Sequence, residues 1–330
     1  MTRSRPLRGA IVGAGLMGRW HAHAVARLGH SVAAVVDPDR SRAAALASQY
    51  DNCVPATALA TAPAVDVVHV CTPLGSHVDV AREAIARGAH VIVEKPFAET
   101  ATETALVLRL AQSSGRLVAP VHQFLFQRGI GESQRALPAI GVPLHVDFVA
   151  CTAGASHLAV AEQDRIAMEI VPHPLSLIAR LVSPKLADVE WQVRHTAPGE
   201  LRVQGALLET TIAILISTRG RPTTNMLRLI GAGGTVHVDL YHGFATLTRG
   251  RATRAGKVLQ PFLGSGATFL RAAMNLARRG AAGEPAYPGL RDLIARFYAA
   301  VQSGGPAPIS PDECLAVAQA MERIGAALSR

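Results

Sequence analysis

The stretch "GAHVIVEKPF" (88–97) sets Glu94, Lys95 and Pro96 directly after an apolar, β-branched run. Proline has no backbone N–H and pushes the residue before it towards extended backbone, so the strand must finish near Lys95. In an open α/β sheet that finish is where ligands meet protein. An ammonium held there can orient and polarise a hydroxyl or carbonyl oxygen and take part in proton relay. Taken alone, Lys95 is equally a surface lysine that ends a strand. A second group stands far along the chain, in "DRIAMEIVPHPLSLIARL" (164–181), where Glu169 and His173 are four apart. With a helical turn between them they share a face, and a carboxylate beside an imidazole favours its protonated form. His173 could then carry a substrate hydroxyl proton while hydride moves to a cofactor. Pro172 and Pro174 flank it and point to a helix start. His173 is one of thirteen histidines, so by itself it says little.

A place for that cofactor is written near the N-terminus. "AIVGAGLMGRW" holds Gly13, Gly15 and Gly18 in GxGxxG spacing around Leu16 and Met17, after an apolar strand and opening a helix. The first glycine permits a tight turn, the second lets a pyrophosphate approach the backbone, and the third lets helix and strand pack closely. The next strand ends in "VVDPDR", with Asp37 nineteen residues after Gly18. A carboxylate there accepts hydrogen bonds from the ribose 2'-hydroxyl of NAD and repels the 2'-phosphate of NADP. Arg40 close by keeps NADP possible, and Asp37–Pro38 also reads as a plain turn. A third strand runs into "CTPLGSH" (71–77), where Thr72 and Pro73 stop it beneath the pyrophosphate and the nicotinamide-side ribose. Ser76 suits a helix N-cap, which leaves His77 as a cofactor candidate.

The elements that must position these residues follow from hydrophobic pattern. Strands are expected at 8–12, 32–36, 65–70, 89–93 and 116–121, separated by alanine-rich helical segments. Short apolar strands joined by crossover helices read as a doubly wound parallel sheet, so residues 1–121 form a Rossmann-type domain. From 122 to 330 the pattern changes. Segments at 142–151, 187–195, 201–217, 225–230, 235–240 and 244–248 alternate or run apolar between glycine-rich turns, while helical periodicity appears at 164–181, 267–279, 289–303 and 311–328. The expected fold class is α/β at the N-terminus followed by an α+β domain, a mostly antiparallel sheet with helices on one face.

Composition narrows the function classes. The 330 residues suit two domains. The net charge of +9 rests mainly on scattered arginines, with 4% aromatic residues and no basic stripe, so no nucleic-acid partner is expected and a phosphate-bearing cofactor or acidic substrate is. No run of 18 apolar residues exists for a transmembrane segment. The basic start "MTRSRPLRG" leads into a folded glycine motif, which reads as a short disordered start to a cytoplasmic protein. Cys53, Cys71, Cys151 and Cys314 are far apart, so buried free thiols are expected and no metal site. Within 255–287, "FLRAAMNLARR" is basic and amphipathic, which could lie on a membrane or against a partner; its short apolar face favours packing on the domain or on a second subunit.

Taken together, "GAGLMG" (13–18), "VVDPD" (35–39), "CTPLGSH" (71–77), "VEKPF" (93–97), "EIVPH" (169–173) and the late "LRDLIARFYAAVQSGGPAPISPDECLAVAQAMERI" (290–324) make the chain resemble the Gfo/Idh/MocA oxidoreductases. The resemblance implies an NAD(P) domain, Glu94 and Lys95 at the cofactor, and a second domain whose sheet face helps form a dimer or tetramer. It also implies Lys95 and His173 as a catalytic pair, with hydride exchanged between nicotinamide and a secondary hydroxyl or ketone. The substrate implied is a sugar, cyclitol or sugar nucleotide, with Glu169 beside it. The family pattern D-x-G-x-H has Glu169 here for the acid and Pro172 for the glycine. Where members often carry asparagine after the fifth of the expected strands, "VHQF" offers His122 and Gln123 for nicotinamide or substrate contacts. Two other readings stand beside this one: a noncatalytic nucleotide-binding sensor or partner protein, and a reductase of a conjugated C=C or C=N bond.

Overall fold

A computed structural model describes residues 5–152, 154, 157–250, 254–282 and 286–328. The first four residues of the expected disordered start lie outside that set. The first sheet is built from β1 (Arg8–Val12), β2 (Ser31–Val36), β3 (Val54–Ala56), β4 (Val67–Val70), β5 (His90–Val93) and β6 (Val118–Pro120), with crossovers α1 (Leu16–Arg27), α2 (Arg40–Ala47), α3 (His77–Ala86) and α4 (Ala101–Ser113). Its order is β3-β2-β1-β4-β5-β6, parallel throughout. The reversal between β1 and β4 opens the crevice where ligands bind in such sheets. Alternation sends Val68 and Val70 of β4 into a core with Val91 and Val93, while His69 points to the other face, in register with Ile11 and Ile92.

The second sheet begins after α5 (Arg128–Ile140) with β7 (Pro143–Cys151), followed by α6 (Val160–Ile170) and α7 (Pro172–Leu181). It continues with β8 (Gln192–Ala197), β9 (Glu200–Leu207), β10 (Thr210–Ser217), β11 (Thr224–Gly231), β12 (Gly234–Asp239) and β13 (Phe244–Arg249). The order is β13-β12-β11-β7-β10-β9-β8, with only β7 and β10 parallel. Val146, Phe148, Ile212, Ile214, Leu227 and Val236 fill its buried face. The opposite face carries Asp147, Gln204, Met226 and His237, with Arg228 Nε donating to Asp147 at 2.7 Å. The long α8 (Arg254–Ala282) follows, then α9 (Leu290–Ser303) and α10 (Pro311–Leu328). The chain packs as two compact units, one running to His122 and taking in Leu290–Ala318, the other formed by Gln123–Gly289 with the rest of α10.

The expected fold class is the one observed: a parallel doubly wound sheet followed by a mostly antiparallel one. Several elements differ in detail. The apolar run 201–217 is a hairpin, β9 and β10, turning at Leu208, whose φ is 57°. The helical stretch 164–181 is two helices, because Pro172 has no N–H with which to continue α6. Neither β3 nor α5 is foreshadowed by periodicity. None of the four cysteines is bonded to another; Cys314 is buried, whereas Cys53, Cys71 and Cys151, expected to be buried, are half-buried.

Candidate functional site

The glycine turn closes the end of β1. Gly13 takes φ of 99°, and a Cβ there would lie 2.4 Å from the Cys71 carbonyl oxygen, so only glycine fits. A Cβ on Gly18 would lie 1.9 Å from the Gly13 oxygen, which is how closely α1 rests on the turn. Gly15 is different: a Cβ there would meet only the Arg42 guanidinium, at 3.6 Å, so its outer side is open. Gly15 caps α1 without a side-chain bond and no acid stands in the first turn. The positive end of the helix dipole is therefore not neutralised from within, as an incoming pyrophosphate requires. Leu16 is 64% exposed just beyond it, and Met17 is half-buried.

Asp37 ends β2 and is buried, one carboxylate oxygen accepting Ala14 N–H at 2.8 Å and the other Asp39 N–H at 3.0 Å. Each oxygen has a second lone pair, so the group can still accept from a hydroxyl. Asp39 in turn caps α2, accepting from Ser41 N–H at 2.9 Å and Arg42 N–H at 3.2 Å. Those bonds hold its carboxyl below the usual aspartate range, the Ser41 side chain contributing most. Arg42, which spacing alone did not single out, is thus the cation beside Gly15.

Thr72 and Pro73 follow β4. The Ser76 hydroxyl lies 2.8 Å from that of Thr72 and 2.9 Å from the Pro73 carbonyl, so it bonds backwards along the turn and does not cap α3. His77 is buried, with Nε2 2.8 Å from the Thr72 carbonyl and Nδ1 2.9 Å from the Pro96 carbonyl. Its ring braces the loop after β4 against the loop after β5, the two loops that border the crevice. Lys95 stands half-buried at the end of β5, and its N–H donates to Glu94 Oε2 at 3.1 Å. The first unit thus brings Gly13, Gly15, Gly18, Asp37, Thr72, Pro73, His77, Glu94 and Lys95 to one edge of the parallel sheet, the edge formed by its carboxyl ends.

His122 is buried just beyond β6 in the same unit. In the second unit, His173 is the second residue of α7, with Pro172 in the first position where its missing N–H costs nothing. The His173 ring is buried and stacks on Phe124, centroids 4.3 Å apart and planes 21° apart. Phe124 had no signal in the sequence. Gln123 is buried one residue earlier, and its Oε1 has no hydrogen-bond partner among the described residues, which leaves an acceptor for a ligand donor. Glu169 lies one turn after Arg165 on α6 and is paired with it.

A six-stranded parallel sheet in this order, with a glycine turn after its first strand and an acid ending its second, defines the Rossmann class. Residues 7–122 match the profile of the Gfo/Idh/MocA family, described as an oxidoreductase family with an NAD-binding Rossmann fold. Over those residues, about the first third of its length, the chain is similar to that family. It is 27% identical over 196 residues to UDP-N-acetylglucosamine 3-dehydrogenase of Acidithiobacillus ferrooxidans, covering 56% of each chain. It is 29% identical over 266 residues to inositol 2-dehydrogenase 4 of Saccharopolyspora erythraea, covering 75% of this chain and 78% of that one. The match to the first of these thus spans little more than half its length. The solved structure of the Acidithiobacillus enzyme superposes with a TM-score of 0.76 at 20% identity, covering 98% of both chains. Levoglucosan dehydrogenase in complex with NADH and levoglucosan gives 0.77 at 14%, again covering 98% of both. At these identities the likeness is one of fold.

Proposed function

We propose that the protein is an NAD(P)-dependent dehydrogenase acting on a secondary hydroxyl, or the corresponding ketone, of a sugar, cyclitol or sugar-nucleotide-like substrate. The observation that carries this reading is Lys95 at the carboxyl end of β5, on the same sheet edge as the open Gly15 turn and the Asp37 carboxylate. The names of the relatives, a UDP-N-acetylglucosamine dehydrogenase and an inositol dehydrogenase, support the substrate class.

A bound nicotinamide dinucleotide supplies the hydride acceptor. Gly13, Gly15 and the first turn of α1 hold its pyrophosphate, and Asp37 accepts from the ribose hydroxyls, which favours NAD over NADP. Thr72, Pro73 and His77 shape the loop that borders it. Lys95 donates a hydrogen bond to the reacting oxygen, and His173 takes the hydroxyl proton as the carbon gives up hydride. Phe124 fixes the plane of that imidazole, while Gln123 and Glu169 contact the substrate. The protein works as a homo-oligomer, a reading supported by eight large apolar side chains along α8 that are each more than half exposed.

The test is a screen of sugars, cyclitols and nucleotide sugars with NAD or NADP, followed by absorbance of the reduced nicotinamide, after mass spectrometry of the purified protein for retained dinucleotide. Turnover with one of these classes is the expected result. A retained or tightly bound dinucleotide that never changes redox state would point to a noncatalytic role, and failure to bind either dinucleotide would overturn the reading.

A further inference from the structure

A chain of four polar side chains runs through the interior of the first unit, linking α9 to the end of β5. His21 on α1, His69 on β4 and Tyr298 on α9 are fully buried, and Glu94 is nearly so. Tyr298 Oη lies 2.8 Å from His69 Nε2, His69 Nδ1 lies 2.8 Å from His21 Nδ1, and His21 Nε2 lies 3.1 Å from Glu94 Oε1. The other Glu94 oxygen accepts the Lys95 N–H. Buried polar groups of this kind are costly unless every one is satisfied.

With one proton on each imidazole, only one arrangement satisfies every contact. A carboxylate only accepts, so His21 carries its proton on Nε2 and its Nδ1 must accept. His69 therefore carries its proton on Nδ1, and its Nε2 accepts from the Tyr298 hydroxyl. Burial, with His21 adding to it, pushes His69 well below the ordinary histidine range, and burial holds the Tyr298 phenol above its own. The backbone makes room for this device: a Cβ on Gly9 of β1 would lie 2.6 Å from Tyr298 Oη. The chain of bonds ends at a fully buried phenol, so it holds a position and does not conduct protons to solvent.

We infer that Tyr298, His69 and His21 are positioning residues that fix the Glu94 carboxylate and, through its bond to the Lys95 N–H, the place from which Lys95 acts. This rests on the reading of Lys95 as the group that meets substrate. The composition supplies an unusually clean probe, because the chain has three lysines, Lys95, Lys185 and Lys257. Lysine labelled with 13C at the ε carbon gives three signals in the full-length protein, with no substrate required, and Lys95→Arg assigns one.

Long-range 15N correlation of the imidazoles should show His69 protonated on Nδ1 and His21 on Nε2, with His69→Phe and His21→Phe serving as assignments. His21→Phe should move the Lys95 signal and leave those of Lys185 and Lys257 in place. Tyr298→Phe keeps the ring and should alter the His69 nitrogens, so it serves where the histidine variants do not fold. Once a substrate is known, His21→Phe should lower kcat on the order of tenfold with little change in KM for the dinucleotide. His69 protonated on Nε2, or a Lys95 signal unmoved in a folded His21→Phe protein, would overturn the inference. Failure of the Lys95 reading itself is a separate result, seen as full turnover by Lys95→Ala.

Discussion

Lys95 and Asp37 occupy equivalent places, each just past the carboxyl end of a parallel strand, yet their removal should separate chemistry from binding. Lys95→Ala is expected to lower turnover by roughly 10²-fold or more, the usual worth of acid-base assistance, while dinucleotide affinity measured by fluorescence titration holds. Turnover equal to that of the parent would remove the lysine from the mechanism. Asp37→Ala should weaken NAD relative to NADP, because the ribose hydroxyls lose an acceptor and a 2'-phosphate loses a repelling charge. An unchanged ratio of the two affinities would sink that assignment and turn attention to Arg42. His69 makes its own prediction about pH. Its folded pKa is lowered by burial, and it faces His21, Tyr298 and, one residue further, Glu94. Below about pH 6.5 the unfolded chain binds a proton that native His69 refuses, so stability is full above that pH and falls as the pH drops. The slope approaches about 1.4 kcal/mol per pH unit for one such group. Urea unfolding at pH 7.5 and 5.5 should therefore show a larger loss in the parent than in His69→Phe. Equal losses would mean that His69 is not held neutral in the fold.

Glycine inside a helix is ordinarily a weakness, and α5 contains two, Gly129 and Gly131, together with Pro138. Propensity alone says that Gly129→Ala should stabilise by about 1 kcal/mol. The neighbourhood says otherwise: the added Cβ would lie 2.8 Å from the backbone carbonyl carbon of Phe244 and 3.0 Å from its oxygen. Backbone cannot step aside as a side chain can, and overpacking of this kind costs about 1–3 kcal/mol. The expected outcome is a lower Tm for Gly129→Ala, and a higher one would show that α5 does not rest on β13 this closely. The same residues explain what the sequence conceals. Local propensity argues against α5, and only a distant strand makes its glycine useful. Edge strand β3 holds three residues including Pro55, too few for a period. By contrast, β1, β2, β4 and β5 are legible because each is a short apolar run that stops at a glycine, a polar residue or a proline. The glycine turn, Asp37 and Lys95 were readable for that reason. The pairing of His21 with His69 was not, since residues 48 apart meet only through sheet register and helix packing.

Helix α8 inverts the usual arrangement of a surface helix, whose apolar stripe faces its own core. Its polar side is turned inward: Asn275 donates to the His242 carbonyl at 2.7 Å, Arg279 to the same oxygen at 3.2 Å, and Arg271 to Glu132 at 3.0 Å. Its apolar side is turned out, with Val258, Phe262, Phe269 and Leu276 on one stripe, each at least 70% exposed, and Leu259, Leu263, Leu270 and Met274 beside them. These side chains together leave on the order of 1000 Å² of apolar surface in water, beyond the roughly 300–600 Å² patch of an ordinary monomer and close to the ~800 Å² that each partner of a stable complex buries. A second copy of the chain is the occupant that fits, since the face is present on every molecule and a two-fold interface needs only one patch that matches itself. Among the described residues no helix is long and apolar enough to cross a membrane. Light scattering should therefore report a dimer or tetramer at micromolar concentration, and Phe262→Glu combined with Phe269→Glu should yield smaller species with unchanged far-UV circular dichroism. A monomeric parent, or an assembly indifferent to both charges, would exclude the second copy. Sedimentation of that monomer with anionic vesicles would instead assign the face to a lipid surface, because a basic amphipathic helix offers both contacts and only the oligomeric state separates them.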